Sequence, residues 1–239
     1  MGQEVNGTKK IIKNALYLYL RMFISMCIAL ITSRLILNTL GVENYGIYNI
    51  VGGIIVMFSF LNTTMAGATS RFITYELGKG NKYTQNIFST ALTIHFIIAL
   101  IVAIFIETLG YWFLINKLVI PAERLFAAKL LLQFSIITMF FNLTQVPYNA
   151  SIIAYEKMDI YAIIGTLDSF LKLIIAITIS FSKWDKLIIY GLLIMLEQIF
   201  ITLLYQFFPQ KARLCEEKPR KAPNFIFSFS TNLSCPPRT

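Results

Sequence analysis

The chain has 239 residues, 56% of them apolar and only 14% charged, with a mean hydropathy of +0.67. A soluble domain carries about 25% charged residues and a disordered chain is far more polar, so both classes are excluded. The formal charge is +9, but its basic residues are sparse and spaced, which suits the flanks of membrane segments rather than a nucleic-acid surface.

Met1 to Lys10 is polar, so residues 1–13 read as an extramembrane N-terminus. The apolar stretch that follows is too long for a signal-peptide core and lacks an A-x-A cleavage site, so it predicts a retained first span at about 14–40. Charge-free intervals between Glu43 and Arg71, Lys82 and Glu107, and Lys129 and Glu156 predict three more spans, at about 45–70, 84–107 and 128–154. Two further segments reach span length by tolerating internal charge, about 160–182 with Asp168 and Lys172, and about 187–208 with Glu197. The expectation is an all-α polytopic membrane protein, a six-helix transmembrane bundle over 14–208. Residues 209–239 hold five of the seven prolines and no further span, which predicts a basic, Pro-rich tail.

Orientation follows the loop Lys and Arg. Lys9, Lys10, Lys13, Arg71, Lys79, Lys82, Lys157 and the basic tail fall on one side, against Lys117, Arg124, Lys129, Lys183 and Lys186 on the other. The positive-inside rule then predicts both termini in the cytoplasm, with Trp112 and Trp184 in the outer interfacial belt. Cys27, Cys215 and Cys235 have no metal or disulfide spacing, and Cys27 reads as a small buried apolar residue.

Charges inside a bilayer usually face a bundle interior or a watery cavity. Asp168 and Lys172 stand at i, i+4 and can neutralise each other, either as a structural pair or within a transport pathway. Glu197 has no partner at i±3 or i±4 of its own helix; it must pair across helices, with Lys172 as one candidate, carry a proton, or line water. A carboxyl so placed suits cation coupling. Arg21 and Arg34 each lie about 10 Å from an end of the first span, where they can snorkel or bind phosphate. Their spacing puts them on different faces, as two stations rather than one clamp.

The second span carries Gly52, Gly53 and Gly67, expected to allow close helix packing, together with Asn62, Thr63 and Thr64. The fourth contains Asn142, Gln145, Pro147 and Asn149, expected to form a proline kink with amides that satisfy the freed carbonyls, or a polar cavity wall. His95, near the middle of the third span, is expected to be satisfied by neighbours. Catalytic signatures fail. Gly41 and Gly46 have P-loop spacing, but Ile47-Tyr48 stand where Lys and Ser/Thr are required, and neither a G-x-S-x-G elbow nor an H-E-x-x-H zinc motif occurs. The expectation is a non-enzyme without metal or cofactor.

Several blocks carry a resemblance. They are Leu40-Gly41-Val42-Glu43-Asn44-Tyr45-Gly46-Ile47-Tyr48 with Val51-Gly52-Gly53 and Phe58-Ser59-Phe60-Leu61-Asn62; Ala68-Thr69-Ser70-Arg71-Phe72 with Glu76-Leu77-Gly78-Lys79-Gly80-Asn81; and Val146-Pro147-Tyr148-Asn149-Ala150 with Glu156-Lys157-Met158-Asp159. Over about residues 10–208 the chain resembles bacterial polysaccharide and O-antigen flippases of the multidrug/oligosaccharidyl-lipid/polysaccharide exporter superfamily. The resemblance implies a multi-pass inner-membrane transporter that moves undecaprenyl-diphosphate-linked oligosaccharide by alternating access, amid membrane lipids and beside polysaccharide polymerase or assembly proteins, without nucleic acid.

It further implies that Arg21, Arg34 and Lys172 serve the pyrophosphate, that Glu197 and Asp168 serve cation coupling, and that Asn62, Asn142, Gln145, Pro147 and Asn149 line the cavity. Only the first of the family's two lobes is matched, so the chain is expected to be an incomplete lobe, with a truncation or frameshift near residue 209. The alternatives are a cation-coupled multidrug antiporter of the same superfamily and a non-transporting scaffold of a polysaccharide assembly complex.

Overall fold

The computed structural model describes residues 2–79, 83–118, 120–182 and 184–216, and among them every regular element is helical. In chain order they are α1 (Gly2–Val56, broken at Gly41), α2 (Ser59–Gly78), α3 (Thr84–Phe105), a π-helical turn (Ile106–Gly110), α4 (Tyr111–Asn116), a 3₁₀ turn (Ala122–Arg124), α5 (Leu125–Ala154), α6 (Met158–Ser180) and α7 (Lys186–Glu216). Five helical stretches are long and apolar enough to cross a membrane: Asn14–Gly53, Thr84–Asn116, Leu125–Ala154, Met158–Ser180 and Lys186–Phe207. The chain is therefore a multi-pass α-helical membrane protein by length and composition.

α5 is the central post. It packs against α2, α3, α7 and part of α1, while α6 packs chiefly on α1 and α7. Ala127, Ala128, Leu131, Leu132, Ile136, Met139, Leu143, Val146 and Ala150 are all buried, so α5 is apolar around most of its circumference. Lipid is as apolar as these side chains, so association depends on close packing and on polar contacts. Two glycines allow that closeness. A Cβ at Gly191 would lie 2.7 Å from Leu131 Cδ1, and one at Gly165 would collide with the Arg21 guanidinium. Outward faces carry large apolar residues such as Phe23, Met26, Ile101 and Phe170, as a lipid-facing surface requires.

Cross-helix contacts fix the direction of each pass. Arg21 lies against Gly165 and Ser25 against Ser169, so the arm 2–40 of α1 runs parallel to α6. Tyr48 meets Tyr190, and Asn62 reaches Gln198 through Asn142, so the chain beyond Gly41 runs parallel to α7. The electrostatic influence of Tyr161 on Tyr205 and of Lys172 on Glu197 makes α6 and α7 antiparallel. The chain thus reverses around Gly41, whose φ of 77° and ψ of 165° suit glycine almost alone.

Several expectations are corrected. The span expected at about 45–70 is two pieces. Helix 42–56 ends at a turn over Met57 and Phe58, where the Phe58 N–H bonds the Ile55 carbonyl at 3.0 Å. α2 falls below the apolar threshold of a span because it carries Asn62, Thr63, Thr64, Arg71 and Glu76 within twenty residues. Gly52, Gly53 and Gly67 do not mediate close packing, since a Cβ at any of them would meet nothing within 4 Å. Cys27 is exposed rather than buried, because its face of α1 points away from the bundle. The span expected at 84–107 continues to Asn116 through the π turn, where Gln133 donates to Glu107 at 2.7 and 2.9 Å. Helix also extends to Gly2 at one end and Glu216 at the other, while residues 217–239 of the expected tail lie outside the described residues.

Gly41 generates a prediction. Gly41→Ala should lose about 1–3 kcal/mol of stability through conformation alone, as no atom lies within 4 Å of the added Cβ. Gly52→Ala, at an ordinary helical position with equal room, should be neutral or gain up to about 1 kcal/mol. Unfolding in mixed micelles compares the two; equal stabilities would remove the special role of Gly41.

Candidate functional site

The helical repeat places Tyr161, Gly165, Asp168 and Lys172 along one stripe of α6, at intervals of four, three and four residues. Against this stripe α1 supplies Arg21, Ser25 and Tyr48, and α7 supplies Tyr190, Glu197 and Tyr205. The three helices form a seam of polar and ionisable groups that runs along the α6 axis.

At its middle, Lys172 Nζ donates to both carboxylate oxygens of Asp168 at 2.8 Å. The i, i+4 pairing expected from the sequence is therefore made. Lys172 and Asp168 retain side-chain exposures of 40% and 27%, so the pair opens toward the outside of the bundle. Glu197 differs. It is 6% exposed, and neither carboxylate oxygen meets a donor group, but its carboxyl lies against that of Asp168 within hydrogen-bonding range. Lys172 also acts on it electrostatically, so the three groups form one unit in which Asp168 is bonded to Lys172 and Glu197 touches that pair only through the Asp168 carboxyl. Tyr190 Oη donates to Tyr48 Oη at 3.4 Å with their rings edge-on, closing the seam beside Lys172.

Toward the start of α6, the Arg21 guanidinium stacks on Tyr161, 4.1 Å from the ring centroid, and lies over Gly165. Ser169 donates to Ser25 at 2.8 Å, pinning α6 to α1 between Arg21 and the ion pair. Arg34 is exposed on α1, thirteen residues on, and does not join the seam. Of the expected phosphate-binding cations, Arg21 and Lys172 share the seam and Arg34 stands apart.

A second polar assembly lies between α2, α5 and α7. Asn62 donates to Asn142 Oδ1, and Asn142 donates to Gln198 Oε1 at 3.5 Å. Gln198 donates to Gln145 Oε1 at 2.8 Å, and Thr202 donates to the same oxygen at 3.2 Å. Asn62, Asn142 and Gln145 are thus brought together as expected, but they bond one another across helices rather than the carbonyls near Pro147. α5 continues through that buried proline as one helix, and Ser151 Oγ donates to the Pro147 carbonyl at 2.9 Å. Asn149 Oδ1 is buried without a partner. His95 is satisfied only on one side, donating from Nδ1 to the Ala91 carbonyl of its own helix at 2.7 Å while Nε2 has none.

Gln198, Thr202, Tyr161 and Gly165 are members of these sites that sequence reasoning missed. Gln198 and Thr202 stand at i, i+4 next to Glu197, and the 161-165-168-172 spacing was readable, so both signals exist without a charge to draw the eye. Among the described residues no group of three His, Cys, Asp or Glu could hold a metal ion. Comparison with protein-family models, with curated proteins and with solved structures returns no match.

The ion pair yields a prediction. Asp168→Leu or Lys172→Leu alone should be destabilising by leaving one charge without its hydrogen-bonded partner, while the double variant should recover most of the loss. Additive losses in a double-mutant cycle, read from unfolding in bilayer-like micelles, would mean that the two residues do not act as a pair.

Proposed function

We propose that this chain forms a six-pass lobe of a cation-coupled inner-membrane transporter, with a lipid-diphosphate-linked oligosaccharide as its load. The observation that carries the reading is Glu197, a buried carboxyl that meets no donor group and lies against the Asp168 carboxyl, beside an ion pair in an apolar bundle. Two adjoining carboxyls beside one lysine share a proton more readily than they hold two negative charges, so the cluster can take up and release a cation.

Seam electrostatics support the coupling. Arg21, Asp168, Lys172 and Glu197 are formally neutral together when Glu197 is ionised, and carry one net positive charge when a proton or other cation neutralises it. A cation on Glu197 therefore favours an anion elsewhere in the seam. A diphosphate is such an anion, and Arg21 offers a fork matched to its oxygens, with Lys172 as a second cation. The return pass through 42–56 and α2 makes the sixth crossing in this reading. The sequence blocks around Gly41, Arg71 and Pro147 support the exporter assignment, in which a second copy of the lobe supplies the opposite cavity wall.

The test reconstitutes the chain in vesicles carrying a fluorescent undecaprenyl-diphosphate disaccharide and measures its leaflet exchange with and without a pH gradient. The gradient should accelerate exchange, and Glu197→Gln should abolish that acceleration. No exchange above protein-free vesicles would reject the load; exchange equally gradient-dependent in Glu197→Gln would reject the coupling residue.

A further inference from the structure

A cleft of about 280 Å³ opens between α1 and α6, lined by Tyr17, Leu20, Arg21 and Ile24 on one side and Ala162, Ile163 and Thr166 on the other. Its walls are apolar, and Leu20 and Ile163 at 53% and 66% exposure face outward, where acyl chains lie. Arg21 provides the cation. Its guanidinium is braced by the Tyr161 ring and by the absence of a side chain at Gly165, and among the described residues no carboxylate pairs with it. Gly165 is seven residues from the start of α6, so the guanidinium sits within about 10 Å of that helix end. Lys157 and Asp159 mark the same end as a polar boundary. An unpaired fork at this depth, above an apolar groove open to lipid, meets the two halves of one molecule.

We infer that the α1/α6 cleft is a binding site for an anionic phospholipid, whose phosphodiester takes the Arg21 fork and whose acyl chain lies along Leu20, Ile24 and Ile163. The guanidinium supplies two parallel N–H donors to phosphate oxygens, and stacking on Tyr161 holds its plane ready, so little side-chain entropy is lost on binding. A zwitterionic lipid carries its own cation and leaves Arg21 less fully neutralised, so phosphatidylglycerol is favoured over phosphatidylcholine. Free phosphate has nothing to place in the groove. The inference requires only that the chain lies in a bilayer; it shares the Arg21 fork with the load proposed above, so its test contains no oligosaccharide.

Native mass spectrometry of the full chain, released from nanodiscs of equal phosphatidylglycerol and phosphatidylcholine without oligosaccharide, tests it. The expected result is retention of one phosphatidylglycerol, about tenfold over phosphatidylcholine. Arg21→Gln should lose that preference, and Ile163→Trp, which keeps the cation and fills the groove, should lower retention of both lipids at least several-fold. Thermal unfolding of each variant checks that it is folded; should Arg21→Gln not fold, Ile163→Trp alone decides. Equal retention of the two lipids by the wild type, undiminished preference in Arg21→Gln, or displacement of the lipid by millimolar inorganic phosphate would each overturn the inference.

Discussion

Lipid offers no hydrogen-bond partner, so each polar group carried into the bilayer must find one inside the protein or be left without. That constraint organises this bundle. The Asn62–Asn142–Gln198–Gln145–Thr202 assembly satisfies most of its own groups and ties α2 and α7 to the central α5. The Asp168–Lys172 pair satisfies itself within one helix. Hydrophobic burial provides little drive between helices in lipid, so these contacts and the close approaches at Gly165 and Gly191 position α6 and α7. What remains unsatisfied stands out against that background, and Glu197 is its only charged member among the described residues.

The two carboxylates of the seam therefore have different standing. Asp168 is bonded to Lys172 and only part-buried, whereas Glu197 is sealed, meets no donor group and touches the pair through the Asp168 carboxyl. A fixed pair lowers the cost of keeping charge in the membrane, and a carboxyl beside it that no cation bonds gives that charge a way to change. Arg21 extends the same logic toward the membrane boundary, where its partner is an aromatic face and not an acid. The seam thus grades from an open cation near the start of α6 to a closed carboxyl near the bilayer centre.

The sequence made most of the fold legible because span-forming helices announce themselves by length and apolarity. The boundaries at Asn14, Leu125, Met158 and Lys186 fall within a few residues of expectation. The 45–70 segment was legible only in part because freedom from charge is not the same as apolarity: it divides at Met57 and Phe58, and its amide and hydroxyl residues belong to α2, which contacts α5. Among site residues, Asp168 and Lys172 were legible because i, i+4 spacing settles their geometry. Glu197 was legible as a problem but not as a solution, since its neighbours Asp168 and Lys172 come from α6, more than twenty residues earlier, and meet it only after packing. Arg21 and Arg34 looked equivalent; the packing of α6 on one part of α1 separates them, burying one against Tyr161 and leaving the other exposed.

The central claim is that the seam holds one carboxylate bonded to a lysine and one carboxyl that no cation or donor group bonds. An apolar carbodiimide, which enters the bilayer and forms a stable adduct with a carboxyl not engaged by a cation, reads that difference directly. Peptide mapping of the membrane-embedded chain should find the adduct on Glu197 and not on Asp168, with Asp168 becoming reactive in Lys172→Leu. Adducts on Asp168 first, or equal labelling of both carboxyls in the unaltered chain, would contradict the account.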